Sequence, residues 1–311
     1  MDNKILYSFV LPAFKAHYFK EAINSILAQT YTNFELIIVN DASPEDLDSI
    51  VYSFNDSRIR YYVNKENLGG KDLVAQWNYC ISYALGDYLI LASDDDVYDH
   101  QYLEKMNKLV KKYPDVNVFR PRVQYINGFG EIERIGGILN EYASSMEYLY
   151  YQTHIGKGIP FYIFKKQALN DMGGFIKYPL AWHSDDMTIL LMTNSGIVFC
   201  SDILFSMRIS GESISSKENN AETLKQKVIA TNEYYSDLFK ILRETNLDSN
   251  IDNFFHSNLI KTIRTSHIMN LSSWFISSSK KAVLLCFPLY WNIRLFKKKQ
   301  LIKMYFRKIL F

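Results

Sequence analysis

Over residues 5–112 the chain alternates short apolar runs with amphipathic helical periods, and every apolar run ends in a polar loop. Tyr7-Ser-Phe-Val-Leu11 runs into Pro12, and Phe34–Val39 into Asn40-Asp41-Ala42-Ser43-Pro44. Ile59–Val63 runs into the turn-rich stretch Asn64–Gly70, and Tyr88–Ala92 into Ser93-Asp94-Asp95-Asp96. The first helical period has Phe19, Ala22, Ile23, Ile26 and Leu27 on one face and closes near Gln29-Thr30. A second helix is expected to open at Ser43-Pro44, with Glu45 and Asp46 in its first turn. Residues 71–85 place Leu73, Trp77, Ile81 and Leu85 (or Ala84) on one side, and a further helix is expected over Asp99–Lys112. Strand and helix in strict alternation predict an α/β fold, with a mostly parallel central sheet covered by helices on both faces. Such sheets bind ligands beyond the carboxyl ends of their strands. Pro12-Ala13-Phe14, Asp41, Asn67–Lys71 and Asp94–Asp96 therefore fall on one rim.

The three adjacent aspartates are the costly part of that rim. Neighbouring carboxylates repel and are expensive to desolvate. Two readings of Asp94-Asp95-Asp96 stand side by side. One is a solvated loop in which Asp96 or Asp99 caps the next helix; in the other, a divalent cation such as Mg²⁺ takes the carboxylate oxygens.

The second half is less regular. Val116–Arg120, Ile132–Ile135, Gly196–Phe199 and Leu204–Arg208 read as strands, Glu141–Tyr151 and Lys165–Asp171 as helices, and 221–244 as one long amphipathic helix. Cys80, Cys200 and Cys286 form no CxxC pair, and an odd count without a leader-like segment suggests reduced thiols and a cytoplasmic compartment. The net charge of +2 conceals a division. After Asp252 there is no Asp or Glu against eleven Lys and Arg, which leaves about −9 for the first 252 residues.

Taken together, these motifs resemble a family-2 inverting glycosyltransferase with the GT-A fold, over roughly residues 5–215. The resemblance runs through Phe9-Val-Leu-Pro12, Gln29-Thr30-Tyr31, Phe34–Ser43, Asn67-Leu-Gly69, Asn78, Gly86-Asp-Tyr88, Ser93–Asp96, Gly173-Gly-Phe175, Asp185-Asp186 and Arg208. Each motif is weak alone, but their order and spacing together are specific. The resemblance implies a nucleotide-sugar donor, bound Mg²⁺ or Mn²⁺, and transfer to a hydroxyl with inversion. It implies that Asp41 accepts the imide N–H of uracil or thymine, which favours a UDP-sugar with a dTDP-sugar as the alternative. Pro12, Ala13, Phe14, Asn67 and Gly69 would lie against base and ribose. Lys71 would meet a phosphate, unless it is a solvated surface lysine. Asp95 matches the metal-holding acid of the family's DxD element, Asp94 would face the ribose or the metal through water, and Asp96 would support the loop or touch the sugar. The usual first acid of that element is Ser93 here. Asp185-Asp186 matches the family's acid pair and makes Asp186 the base, with Asp185 positioning it. Trp182 and His183 would contact a sugar, with a structural histidine as the alternative. Arg208 would assist the phosphates or form a surface ion pair. Ser210 stands where many members carry a histidine.

The expected domains are a glycosyltransferase domain over 1–220, with a nucleotide-binding half at about 1–115 and an acceptor-binding half at about 116–220, and a basic helical extension over 221–311. Ala282–Trp291 is too short an apolar run to cross a bilayer. A helix over Arg294–Phe311 would align Leu295, Ile302, Phe306 and Ile309 between flanks of Lys and Arg. Residues 281–311 therefore fit an anionic membrane surface, or else a helix packed on the enzyme or in a homodimer. Nucleic acid is not expected, because no binding motif accompanies the charge. The combined expectation is an enzyme at the inner face of the cell membrane, adding a sugar to a glycan or lipid-linked acceptor of capsule or O-antigen type. One competing reading is a nucleotide-sugar-binding scaffold without chemistry. The other is a sugar nucleotidyltransferase, which would want glycines where Pro12-Ala-Phe-Lys15 stands.

Overall fold

The computed structural model describes residues 4–152, 155–156, 158–210, 220–244, 250–292 and 298–310. The chain forms two compact units, one of Met1–Ile176 with Ser184–Gly211 and one of Lys177–His183 with Glu212–Phe311.

The first unit is built on a ten-stranded sheet. Strands β1 (Tyr7–Ala13), β2 (Phe34–Asn40), β3 (Ile59–Val63) and β4 (Tyr88–Leu91) lie in the order β3-β2-β1-β4, all parallel. β1 and β2 are buried almost throughout, as strands covered on both faces must be. Pro12 is tolerated inside β1 because the pairing with β4 has ended by Val10. Beyond β4 the sheet becomes mixed. β5 (Val97–Tyr98), β6 (Val118–Ile126), β7 (Ile132–Ile135), β8 (Tyr142–Ala143), β9 (Ile163–Lys165) and β10 (Ile197–Arg208) continue it as β4-β9-β6-β10-β5, with β7 on β6 and β8 on β10. β9 is antiparallel to both its neighbours, while β6 and β10 are parallel. The parallel order expected from the alternation thus holds for β1 to β4 and gives way to mixed pairing after them. The two strands expected at 196–199 and 204–208 are one strand, β10, with register shifts between Cys200 and Phe205. A bulged strand interrupts its own period, so it reads as two short runs.

Around the sheet lie α1 (Phe19–Leu27), α2 (Leu47–Tyr52), α3 (Leu73–Ile81), α4 (Tyr102–Lys112), α5 (Ser145–Tyr151), α6 (Lys166–Asp171) and α7 (Ser184–Met192). The second helix starts later than Ser43: Asp46 caps it by accepting Ser49 N–H, and Ser43 bonds instead to Phe14 O and Glu45 N. α3 ends at Ile81, so Leu85 is exposed, and Val74, Gln76 and Cys80 form the buried face with Ile81. The core carries an unusual load of buried rings with satisfied hydroxyls. Phe9 meets Tyr98 edge-on at 5.0 Å, and Tyr98 meets Phe205 at 4.9 Å. The hydroxyls of Tyr98, Tyr102 and Tyr7 donate to Pro160 O, Phe161 O and Asn107 Oδ1, so these tyrosines bury area without orphaning a polar group.

The second unit is helical: α8 (Ala221–Glu244), α9 (Asn250–Ser277), α10 (Lys280–Asn292) and α11 (Lys298–Leu310). Leu224, Val228, Leu271, Val283, Tyr290 and Leu301 are among its core residues. Of the stripe expected on the last helix, the two described side chains, Ile302 and Phe306, face outward, and the Ile309 side chain is outside the described ones. Leu301 is buried and Met304 and Tyr305 pack beside it, whereas Ile302 and Phe306 are exposed. Leu295 lies outside the described residues. The segment Lys177–His183 is held here by rings: His183 stacks on Tyr234 at 4.5 Å and Trp182 meets Trp274 edge-on at 4.7 Å. Lys227 places its ammonium 4.6 Å from one Trp ring and 4.9 Å from the other.

Two outcomes test these packing arguments. Gly174 has φ +93°, and an added Cβ would run into the Asn78 amide, whose oxygen accepts Phe175 N–H at 2.8 Å. Gly174→Ala is expected to cost about 1–3 kcal/mol in thermal or urea unfolding, while Gly137→Ala, whose Cβ would meet nothing, should not. In the helical unit, Asn232 donates to Val228 O, which leaves its Oδ1 to accept from His267 Nε2 at 3.0 Å. Nδ1 of His267 is then buried without a partner, and burial, with the His183 charge second, lowers its pKa from 6.5 to about 4. The unfolded imidazole binds a proton between those values and the folded one does not. Its contribution is therefore complete above pH 6.5 and lost as pH falls toward 4, by up to about 3 kcal/mol. The stability gap between wild type and His267→Gln, measured from pH 7 to 4, should close in that direction.

Candidate active site

At the carboxyl end of β2, Asp41 is buried and already well supplied with donors. Its Oδ1 accepts from Asn64 Nδ2 at 2.7 Å and Leu68 N at 2.9 Å, and its Oδ2 from Gly69 N at 2.7 Å. A side chain at position 69 would put a Cβ 2.8 Å from that oxygen, which is why glycine stands there. A carboxylate offers about four acceptor positions, so one remains after these three. Asn64 also donates to Gln76 Oε1 at 3.0 Å, while Gln76 Nε2 is buried without a partner. Asn67 closes the same turn by accepting Gly70 N–H. Lys71 lies in an exposed ion pair with Glu66 at 2.6 Å, the solvated alternative of its two readings.

The three aspartates are separated by the fold. Asp94 Oδ2 accepts from the backbone N–H groups of Phe14 at 2.9 Å and Lys15 at 2.8 Å, tying the loop after β1 to the loop after β4. Burial raises its pKa, against the pull of the Lys15 charge and of those two N–H groups. Asp95 faces the Lys15 ammonium at 3.1 Å, and the same ammonium is 3.6 Å from Asp94 Oδ1. Asp96 turns inward, accepting from Ser93 Oγ and from Arg208 N at 2.8 Å. Burial first, and the neighbouring Asp95 second, raise its pKa to about 7. Neither Asp96 nor Asp99 caps α4: Asp99 closes a local turn onto Gln101 N instead.

Arg208 ends β10 with its side chain 1% exposed. Its Nε donates to Asp95 O at 2.8 Å, its Nη2 to Glu21 at 2.7 Å, and its guanidinium lies 4.1 Å from the Tyr18 ring. It clamps the aspartate loop from inside, and of the two readings it shows the ion pair, made with Glu21, whose side chain is 53% exposed.

The second acid pair opens α7. Asp185 Oδ1 accepts Asp186 N–H at 2.9 Å, and the helix start favours both charges. Asp186 is buried, with Gln152 Nε2 donating to its carbonyl at 3.0 Å and to Oδ1 at 3.2 Å. Gln152 caps the end of α5, whose own start is a Ser144–Glu147 capping box. Near the pair lies Arg120 on β6, buried, 4.8 Å from the Phe161 ring and donating to Gly156 O at 3.0 Å. Its Nε has no partner, and among the described residues no carboxylate pairs with it. The charges of Arg120 and Asp186 both act on Tyr148 and Tyr162.

Sequence patterns brought out Asp41, Asp94–Asp96 and Asp185-Asp186 but not Lys15, Asn64, Gln76, Arg120 or Gln152, which no motif marks. Trp182 and His183 fall in the helical unit, with the ring partners described above. Ser210 is the last described residue before a stretch that is not described.

Among the described residues no three His, Cys, Asp or Glu side chains are arranged around a common metal position. The donor set fits a narrower case. Asp94 and Asp96 are tied by backbone N–H groups, Asp95 is not, and an ammonium stands in as the cation between Asp94 and Asp95. Mg²⁺ commonly uses one or two carboxylates when substrate phosphates complete its shell. The residues therefore fit a divalent cation that arrives on a diphosphate.

The chain is 26% identical over 234 residues to the Escherichia coli UDP-Glc:alpha-D-GlcNAc-diphosphoundecaprenol beta-1,3-glucosyltransferase, covering 73% of this chain and 85% of that protein. It is 41% identical over 115 residues to an uncharacterized glycosyltransferase of Rickettsia conorii, covering 34% of this chain but 18% of that protein's length. Among solved structures, S. aureus TarS 1-349 in complex with UDP-GlcNAc superposes with a TM-score of 0.65 at 15% identity, over 98% of this chain and 91% of that one. The mannosyltransferase of Pyrobaculum calidifontis in complex with GDP-Man and Mn²⁺ does so with 0.57 at 13% identity, over 99% and 86%. These two likenesses speak for the GT-A fold. The model of Glycosyl transferase family 2 matches residues 8–172, more than half of the chain, and the chain belongs to that family.

Proposed function

We propose that this chain is an inverting glycosyltransferase that moves a sugar from a UDP-sugar to a hydroxyl of a glycan or lipid-linked acceptor. A dTDP-sugar presents the same imide edge and is the alternative donor. The observation that carries this reading is convergence within one unit: Asp41 with its glycine turn, the separated Asp94–Asp96 loop, and a second acid pair at the start of α7. The unpartnered Gln76 Nε2 beside Asp41 supports a base carbonyl as the missing acceptor. The donor and acceptor in the name of the E. coli relative support a UDP-sugar and a diphospholipid-linked saccharide.

In this reading the acceptor oxygen bonds to the anomeric carbon from the face opposite the diphosphate. The carbon–oxygen bond to the diphosphate breaks, and its electron pair leaves with the nucleotide. Asp186 takes the acceptor's proton, with Gln152 fixing one of its oxygens and the helix start favouring its charged form. Asp95 would hold Mg²⁺ or Mn²⁺, which when bound neutralises charge growing on the leaving nucleotide. Asp94 holds the Phe14–Lys15 backbone against which Pro12, Ala13 and Phe14 would present the base and ribose.

Mn²⁺ with UDP, or with a matching UDP-sugar, at about 100 times its dissociation constant should stabilise the protein by about 2.7 kcal/mol in a thermal shift. GDP would leave the melting curve unchanged. Asp186→Asn is expected to lower transfer by about 10²–10⁴-fold with UDP binding retained. Transfer at the wild-type rate in that variant would place the base elsewhere.

We also infer that the helical unit rests on an anionic membrane surface. No helix among the described residues is long and apolar enough to cross a membrane. Leu284, Leu285, Ile302 and Phe306 are exposed, amid exposed Lys280, Lys281, Lys299, Lys303 and Arg307. Each basic group near such a surface adds on the order of 1 kcal/mol, so Lys303→Ala or Arg307→Ala should weaken sedimentation with phosphatidylglycerol vesicles about fivefold. Binding to neutral vesicles with equal affinity would count against the surface.

A further inference from the structure

Among the described residues, Lys15 is the lysine whose ammonium faces the carboxylates of the aspartate loop, while Arg208 meets the loop at the Asp95 carbonyl. Its position is set from both ends. The backbone N–H donates to Asp94 Oδ2 at 2.8 Å, and the ammonium returns to Asp94 Oδ1 at 3.6 Å and Asp95 Oδ2 at 3.1 Å. The two carboxylates are 9% and 15% exposed and the lysine side chain 28%, so the group is neither dry nor fully screened. An ammonium on a four-carbon stem is a mobile point charge, free to exchange one anionic partner for another.

We propose that Lys15 is a resident counter-ion of Asp94 and Asp95 that keeps free divalent cations out of the loop and yields to a cation carried by a nucleoside diphosphate. The argument is one of exchange. A free cation binding Asp95 must displace the ammonium, leave it beside a second positive charge, and give it no new anion. A cation that arrives on a diphosphate brings phosphate oxygens to which the ammonium can turn, so the same displacement keeps every charge paired. Cation and nucleotide are thereby coupled: each raises the affinity for the other by the same factor. The nucleotide half of this proposal rests on the glycosyltransferase reading; the exclusion of the free cation does not.

The test is Mn²⁺ binding to the full-length chain, read as the electron spin resonance signal of free Mn²⁺, with and without UDP. An opposite charge at this distance changes a carboxylate's affinity for a cation by roughly one to three powers of ten. Lys15→Met, which keeps the stem and removes the charge, should therefore bind Mn²⁺ alone at least about tenfold more tightly than wild type. Lys15→Arg should stay as weak as wild type, and adding Asp95→Asn to Lys15→Met should erase the gain. UDP should raise Mn²⁺ affinity more in wild type than in Lys15→Met. Lys15→Gln repeats the measurement if the Met variant melts early. Equal Mn²⁺ affinity in wild type, Lys15→Met and Lys15→Gln overturns the proposal, as does a gain in Lys15→Arg equal to that in Lys15→Met. A gain in Lys15→Met with no response to UDP in any variant supports the counter-ion and sinks the nucleotide reading.

Discussion

The rim of the sheet depends on the carboxylate of Asp94. It ties the chain leaving β1 to the chain leaving β4 through two backbone N–H groups. Those strands are neighbours in the sheet, but their loops have no reason to stay together without a shared anchor. With Asp94 bound, Lys15 is delivered to Asp95, and Asp96 is left to turn the other way, onto the backbone of Arg208. Arg208 then returns a bond to Asp95 O, so the triplet is fastened from the β1 side and the β10 side at once. Three adjacent acids that would repel in an open loop become three differently solvated groups. Each has its own donors, and Asp96 is protonated far more readily than an ordinary carboxylate.

Elements whose physics is local were legible in the sequence. β1, β2 and β4 are apolar runs with abrupt polar ends, and their parallel order follows from the helices between them. α8 was also legible, because 24 residues of amphipathic period need no context to be recognised. What escaped depended on distant partners. Ser43 has the look of a helix cap, but Phe14 O captures its hydroxyl and the helix waits for Asp46. Leu85 fits the helical stripe, but α3 has already ended, and its backbone N–H is held by Glu35 at 2.6 Å. On α11 both Leu301 and Ile302 are plausible inward residues, and only packing against α10 and α8 decides for Leu301.

The same distinction explains the site. Motif residues are recognised by type and order, so Asp41, the triplet and the Asp185-Asp186 pair were found. The residues that determine their state are ordinary polar side chains placed by the fold. Gln152 reaches Asp186 across 34 positions, and Asn64 reaches Asp41 across 23. Arg208 is found by motif, but nothing local says that Glu21, 187 positions away, pairs with it.

The acids of the rim are satisfied by the chain itself, and this bears on how a ligand can gain affinity there. Asp41, Asp94 and Asp96 already accept two or three hydrogen bonds each. A new donor adds to groups that are already hydrogen-bonded, so its net gain is modest. The larger gain lies with groups the fold leaves short. Gln76 Nε2 beside Asp41 and Arg120 Nε among the rings near Asp186 are buried donors without acceptors, one in each half of the sheet. Each carries a desolvation cost of about 1–3 kcal/mol, which an incoming oxygen would recover in full. Binding at this rim is thus expected to be driven by acceptors on the ligand, carbonyl and hydroxyl oxygens, while the carboxylates hold the shape that presents those two donors.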